Sequence, residues 1–129
     1  MTSLLEEVRA AGRAFGEALA RPLREEGLRG HGSAVVPSAE ALAHVALEVS
    51  DEPLLVSHVD LTGARVGGMA TDVLAAFLQE LAAGASLTLH VRLIDGSDPH
   101  HVLEAIFKAL GTALAQACRP RRRQDEAHA

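Results

Sequence analysis

The 129-residue sequence has no tryptophan, no tyrosine and only three phenylalanines. A core built on large rings is therefore excluded, and alanine and the branched aliphatics must do the packing. Small side chains bury little area each, so helices have to approach closely, and association with another chain is expected to add stability. A single cysteine, Cys118, excludes an internal disulfide and fits a reducing compartment. It has no base near it in sequence and no thiolate-favouring motif, so it is not a candidate nucleophile. There is no signal peptide, lipidation motif or run of about 18 apolar residues, so a soluble, cytoplasmic chain is expected. Excess positive charge is lacking too: the formal net charge of −5 gives no drive toward nucleic acid or an anionic membrane. The one basic cluster, Arg119 with Arg121, Arg122 and Arg123, is expected to belong to a solvated, disordered tail over 119–129.

The length suits one domain with one hydrophobic core. Residues 4–26 read as a helix, with Leu4, Leu5, Val8, Ala11, Phe15, Ala18 and Leu19 recurring at three- and four-residue steps. Pro22 falls near its end and can shorten or kink it. Strand-like runs follow at 33–36, 44–49 and 54–61, and the turn-like 50–53 favours a hairpin between the second and third. The apolar positions Val73, Leu74, Phe77, Leu78 and Leu81 predict a helix over 71–83 with Thr71 as its cap. Residues 86–94 alternate as a fourth strand, and a third helix spans about 99–117. The order is helix, then β-β-β-α-β-α. This is an α+β domain, a four-stranded sheet with helices on one face, preceded by an extra N-terminal helix.

The most informative stretch is Asp98 to Lys108. Asp98 suits the N-cap and Pro99 the first helical position, where a missing N–H costs nothing. His100 and Glu104 are four apart and His101 and Glu104 three apart, so both pairs are neighbours on the helix surface. The two imidazoles point roughly 100° apart, which suits two different ions better than chelation of one. Glu104 and Lys108 form a favourable i,i+4 pair. His90 is expected to be structural, and His31, His44, His58 and His128 read as ordinary surface or hydrogen-bonded residues.

From about residue 6 to 118 the chain resembles the second part of the imidazoleglycerol-phosphate dehydratase family. The resemblance is carried by 27–37 (GLRGHGSAVVP), Glu40-Ala41-Leu42, Arg65-Val66-Gly67-Gly68, 87–92 (LTLHVR) and above all 100–110 (HHVLEAIFKAL). It implies two similar β-β-β-α-β-α repeats, each with an HHxxE motif, in large symmetric oligomers whose two-manganese sites lie between subunits. On that reading 1–118 is one domain of this type, with 4–26 the last helix of an incomplete first repeat and 30–118 a complete second one. His100, His101 and Glu104 would be metal ligands for Mn2+, and Lys108 would contact the substrate phosphate.

The departures fall on functional positions. Thr2 and Ser3 stand where the first repeat's histidines would be, leaving Glu6 as a residual carboxylate. Thr and Ser are poor ligands for a borderline divalent ion beside imidazole. Ala76 replaces a His or Glu ligand, Gly30 and Glu52 replace two phosphate-holding arginines, and an Asp-Glu pair becomes Ala39-Glu40. The resemblance therefore implies manganese-dependent loss of water from imidazoleglycerol phosphate by a truncated chain that is not competent alone. The alternatives are a non-catalytic paralogue acting as an assembly or regulatory subunit, and a metal- or imidazole-binding module. A homo-oligomer, or a hetero-assembly with a full-length relative, is expected, with a small imidazole phosphate as ligand and with neither nucleic acid nor membrane as partner.

Overall fold

The computed structural model describes residues 3–59, 65–66 and 69–121, the side chains of 65–66 and 69–72 excepted. Helix α1 spans Leu4–Ala20, and a short 3-10 turn follows at Pro22–Arg24. Next come strands β1 (His31–Ser38), β2 (Ala41–Val49) and β3 (Leu54–His58), and a two-residue pair, β4 (Arg65–Val66) with β5 (Met69–Ala70). Helix α2 (Thr71–Ala85), strand β6 (Leu87–Asp95) and helix α3 (Pro99–Ala117) complete the chain. The main sheet has the order β1-β2-β6-β3. β1 and β2 form a hairpin and β2 pairs antiparallel with β6, setting Val45 opposite Val91 and Leu47 opposite Leu89.

Two expectations are corrected. The 50–53 turn does not make a hairpin: β3 leaves β2 and pairs in parallel with β6, which the chain reaches through α2. Parallel neighbours need such a crossover, commonly a helix. The break is stitched instead by Ser50 N–H to the Ser86 carbonyl (3.0 Å) and by Ser86 Oγ donating to the Ser50 carbonyl (2.8 Å). The first helix does not reach residue 26; Pro22 ends it, because proline has no N–H to continue the ladder and its ring crowds the preceding turn. Arg24 closes that corner, its guanidinium donating to the Ala20, Ala85 and Ser86 carbonyls.

The period-2 pattern buries Ala41, Ala43, Val45 and Leu47 of β2 and Leu87, Leu89 and Val91 of β6. Onto this face α3 packs Val102, Ala105, Ile106, Ala109, Leu110, Ala113 and Ala117. Gly32 of β1 is needed there, because a Cβ would overlap the Ala113 carbonyl. No helix among the described residues covers the other face. The pairing registers set His31, His44, His58 and His90 on it together. His44 Nε2 lies 2.8 Å from Ser33 Oγ.

Helix α1 lies on α2, and its packing also departs from the sequence expectation. The residues it buries are Gly12 and Gly16. A Cβ at either would stand 2.5–2.6 Å from a carbonyl oxygen of α2. Leu4 and Phe15 of the apolar stripe stay 52% and 49% exposed. Residues 119–121, expected in the tail, are tied back: Arg29 N–H donates to the Arg119 carbonyl (2.9 Å) and Arg121 N–H to that of Gly27 (2.6 Å). Residues 122–129 lie outside the described ones. No described helix is long and apolar enough to cross a membrane.

Candidate functional site

The site is built where the tip of the β1–β2 hairpin meets the start of α3. Ser38 pairs with Ala41, so Ala39 and Glu40 form a two-residue turn, with Ala39 at φ 51°. Tight hairpins require such left-handed backbone, and the turn carries Glu40 to the N-terminus of α3. Asp98 is the expected cap: Oδ1 accepts from His100 N–H (2.9 Å) and more weakly from His101 N–H (3.4 Å). With the helix start satisfied by Asp98, both imidazoles are spared for other contacts.

Glu40 uses both carboxylate oxygens. Oε2 accepts from Ser97 N–H (3.0 Å) and Asp98 N–H (3.3 Å), and Oε1 hydrogen-bonds His101 Nδ1. Hydrogen bonds to the charged form favour it. The Glu40 carboxyl is accordingly held down to about 2, first by His101 and then by the Ser97 amide. The His101 imidazole is pushed above its ordinary range, first by the Glu40 bond. Asp98 Oδ2, 4.0 Å from Nδ1, adds charge without a hydrogen bond.

Glu104 Oε1 is 2.7 Å from Lys108 Nζ, the pair anticipated from the spacing. Lys108, followed by a bond from Ser38, keeps the Glu104 carboxyl below its usual range. His100, Leu103, Glu104, Phe107 and Lys108 line one shallow, open depression of about 460 Å³. The structure thus brings together four of the expected residues, His100, His101, Glu104 and Lys108, on one helix. Glu6 is not among them. It lies exposed in the first turn of α1, where its backbone N–H donates to Ser3 Oγ (3.2 Å). Ala76 is buried in α2 and offers no donor. Glu52 sits in the 50–53 turn, its N–H held by Ser50 Oγ. Among the described residues no three His, Cys, Asp or Glu side chains converge on one ion position.

Glu40 is the residue of this candidate site that the sequence did not single out. It is 61 positions from His101, and no local periodicity links the two. The available traces were its place in the Glu40-Ala41-Leu42 match and beside Ala39, where the Asp-Glu pair of the family pattern is broken.

A family model described as imidazoleglycerol-phosphate dehydratase matches residues 5–114. A protein of that name from Syntrophobacter fumaroxidans is 46% identical over 106 residues, 81% of this chain and 54% of the relative. One from Clostridium botulinum strain Kyoto is 39% identical over 111 residues, 85% of this chain and 57% of the relative. This chain spans little more than half the length of these curated relatives. Among solved structures, the Staphylococcus aureus imidazoleglycerol-phosphate dehydratase superposes with a TM-score of 0.85 at 29% identity, over 94% of this chain and 71% of that one. The Pyrococcus furiosus protein, solved in complex with (S)-C348, gives 0.85 at 31% identity, over 95% and 69%.

Proposed function

The chain belongs to the imidazoleglycerol-phosphate dehydratase family, and on that premise we propose that it supplies one wall of a site that removes water from imidazoleglycerol phosphate. The observation that supports this reading is the start of α3: two adjacent imidazoles over a carboxylate and an ammonium, with His101 already gripped through Nδ1.

Imidazole and carboxylate donors together can hold a divalent first-row ion, and the family resemblance makes Mn2+ the ion proposed. The donor count does not close a site: His100 and His101 diverge, and Glu104 is engaged by Lys108. His100 and His101 would each hold one ion, with Glu104 as a further ligand and the remaining ligands coming from outside the described residues. When bound, the metal would supply positive charge toward the substrate's imidazole. Lys108 would meet the phosphate, with Glu104 fixing its position beside the open depression. Phe107 and Leu103 would line the apolar floor and keep water from part of the ligand.

A second reading has its own support. Ala76, Gly30, Glu52 and Ala39 remove ligand, phosphate and carboxylate functions at four separate places in the fold, while the core is kept. Such a chain is a non-catalytic paralogue that assembles with itself or with a two-repeat relative. Exposed Leu4, Phe15 and Phe107 on the helices are consistent with a covered surface in an assembly. A binding module for metal or imidazole is the remaining possibility.

Dehydration of imidazoleglycerol phosphate, assayed with Mn2+ for the chain alone and mixed with the Syntrophobacter fumaroxidans relative, separates these readings. Turnover that needs both chains and is lost with His100→Ala/His101→Ala supports the first. Co-purification with no gain in turnover supports the second. Manganese content unchanged by the double substitution removes the half-site.

A further inference from the structure

Glu40 is placed to do more than tie a loop to a helix. Its Oε1 takes His101 Nδ1, while Oε2 is fixed by two backbone amides, Ser97 and Asp98. A carboxylate anchored in this way accepts hydrogen bonds and has no proton to donate, so the ring nitrogen facing it must carry N–H. His100 makes a natural contrast one residue away, since no hydrogen bond to its ring occurs among the described contacts. The paired imidazoles are thus alike in sequence and unlike in environment.

We propose that Glu40 is the positioning residue of this site: it locks His101 as the Nδ1–H tautomer and fixes the ring, so that Nε2 is the one atom His101 can present to a divalent ion. Bonding the second ring nitrogen of a ligand histidine to a carboxylate sets the tautomer, orients the ring and raises its basicity. The inference rests on the reading of His101 as a metal ligand, but its central claim is measurable without any metal or turnover.

The test uses the full chain with 15N-labelled histidine, metal-free, at a pH where both rings are neutral. Long-range 1H–15N spectra should show His101 in the Nδ1–H form. Glu40→Ala should release it to a mixture dominated by Nε2–H, the form favoured in free histidine. Glu40→Gln, whose amide oxygen can still accept, should retain Nδ1–H, and His100 should not change in either variant. Because Glu40→Ala also removes the bonds to Ser97 and Asp98, circular dichroism checks its fold, and the Gln variant isolates the tautomer effect. Mn2+ titration should then show affinity falling about 10–100-fold in the Ala variant and less in the Gln variant.

A His101 tautomer unmoved by Glu40→Ala, or a shift shared equally by His100, overturns the proposal. So does a tautomer switch that leaves Mn2+ affinity at the wild-type value where His101→Ala abolishes it. Absence of any His101-dependent Mn2+ binding sinks the dehydratase reading instead, and the spectra alone then decide on Glu40.

Discussion

Helices α1 and α3 are the same kind of helix used in two different ways. Aligned with Thr2-Ser3 on His100-His101, Ser3 stands at His101, Leu5 at Leu103, Glu6 at Glu104, Ala11 at Ala109 and Arg21 at Arg119. Helix α3 turns its apolar stripe onto a sheet and buries seven residues. Helix α1 lies against another helix and buries two glycines, leaving the matching stripe at Leu4 and Phe15 half exposed. The starts differ in the same spirit. In α1 the cap is Ser3, the residue matching His101; in α3 the cap is Asp98, outside the histidine pair. Capping by Asp98 leaves the histidine rings at the start of α3 available for other contacts. Periodicity fixes which residues share a stripe; the tertiary neighbour decides which stripe is covered.

The contrast can be broken most forcefully at the close approaches. Gly32→Ala should drive β1 away from α3 and cost roughly 3 kcal/mol of global stability in urea unfolding. Gly16→Ala should cost about 1–2 kcal/mol, because a Cβ meets the Leu81 carbonyl while alanine regains helix propensity. Hydrogen exchange should then rise along α1 and stay unchanged along α3. Equal global losses for both would mean that α1 is as integral as α3.

Next in size are the caps. Asp98→Ala, which removes an acceptor shared by two N–H groups, should cost about 1–2 kcal/mol, and Ser3→Ala about 0.5–1 kcal/mol, both read from chemical unfolding. Asp98→Ala should also disturb the His100 and His101 resonances, whereas Ser3→Ala leaves them in place.

The smallest expected effect is a pH dependence at the start of α3. In the metal-free chain the Glu40 carboxyl is lowered from 4.5 to about 2 and the His101 imidazole is raised above 6.5. A lowered carboxyl pKa stabilises above 4.5, and that contribution is lost as pH falls toward 2. A raised imidazole pKa stabilises fully below 6.5, and that contribution is lost as pH rises through the elevated value. The stability difference between wild type and Glu40→Gln should therefore be flat from about 4.5 to 6.5 and shrink on both sides. A difference still growing above pH 8 would contradict the pairing.

Much of this architecture was legible because its signals are local. Asp98-Pro99 and the apolar steps through Ala117 place α3 at the bounds the structure gives, and the alternation of Leu87, Leu89 and Val91 identifies β6. The expectation for β3 failed because turn residues at 50–53 report only that the chain bends; the partner, β6, is chosen by packing more than 30 residues later. The burial of α1 failed because a glycine ridge has no hydropathy signal. At the site, Glu104 and Lys108 were visible as an i,i+4 pair, whereas Glu40 meets His101 only once a hairpin and a helix are docked. The shared face of His31, His44, His58 and His90 was hidden for the same reason, since four strands must be registered before it exists.

Helix α3 is pinned at both extremities. Glu40 grips the loop at its beginning, and at its end Gly30 N–H donates to the Ala117 carbonyl (2.9 Å) beside the Arg29–Arg119 bond. Both anchor points lie at opposite ends of β1, so the strand acts as a gauge for the helix laid along it. An insertion into β1 would either loosen one clamp or slide the imidazole pair along the sheet. The number of residues between Gly30 and Glu40 thereby sets where the histidines stand.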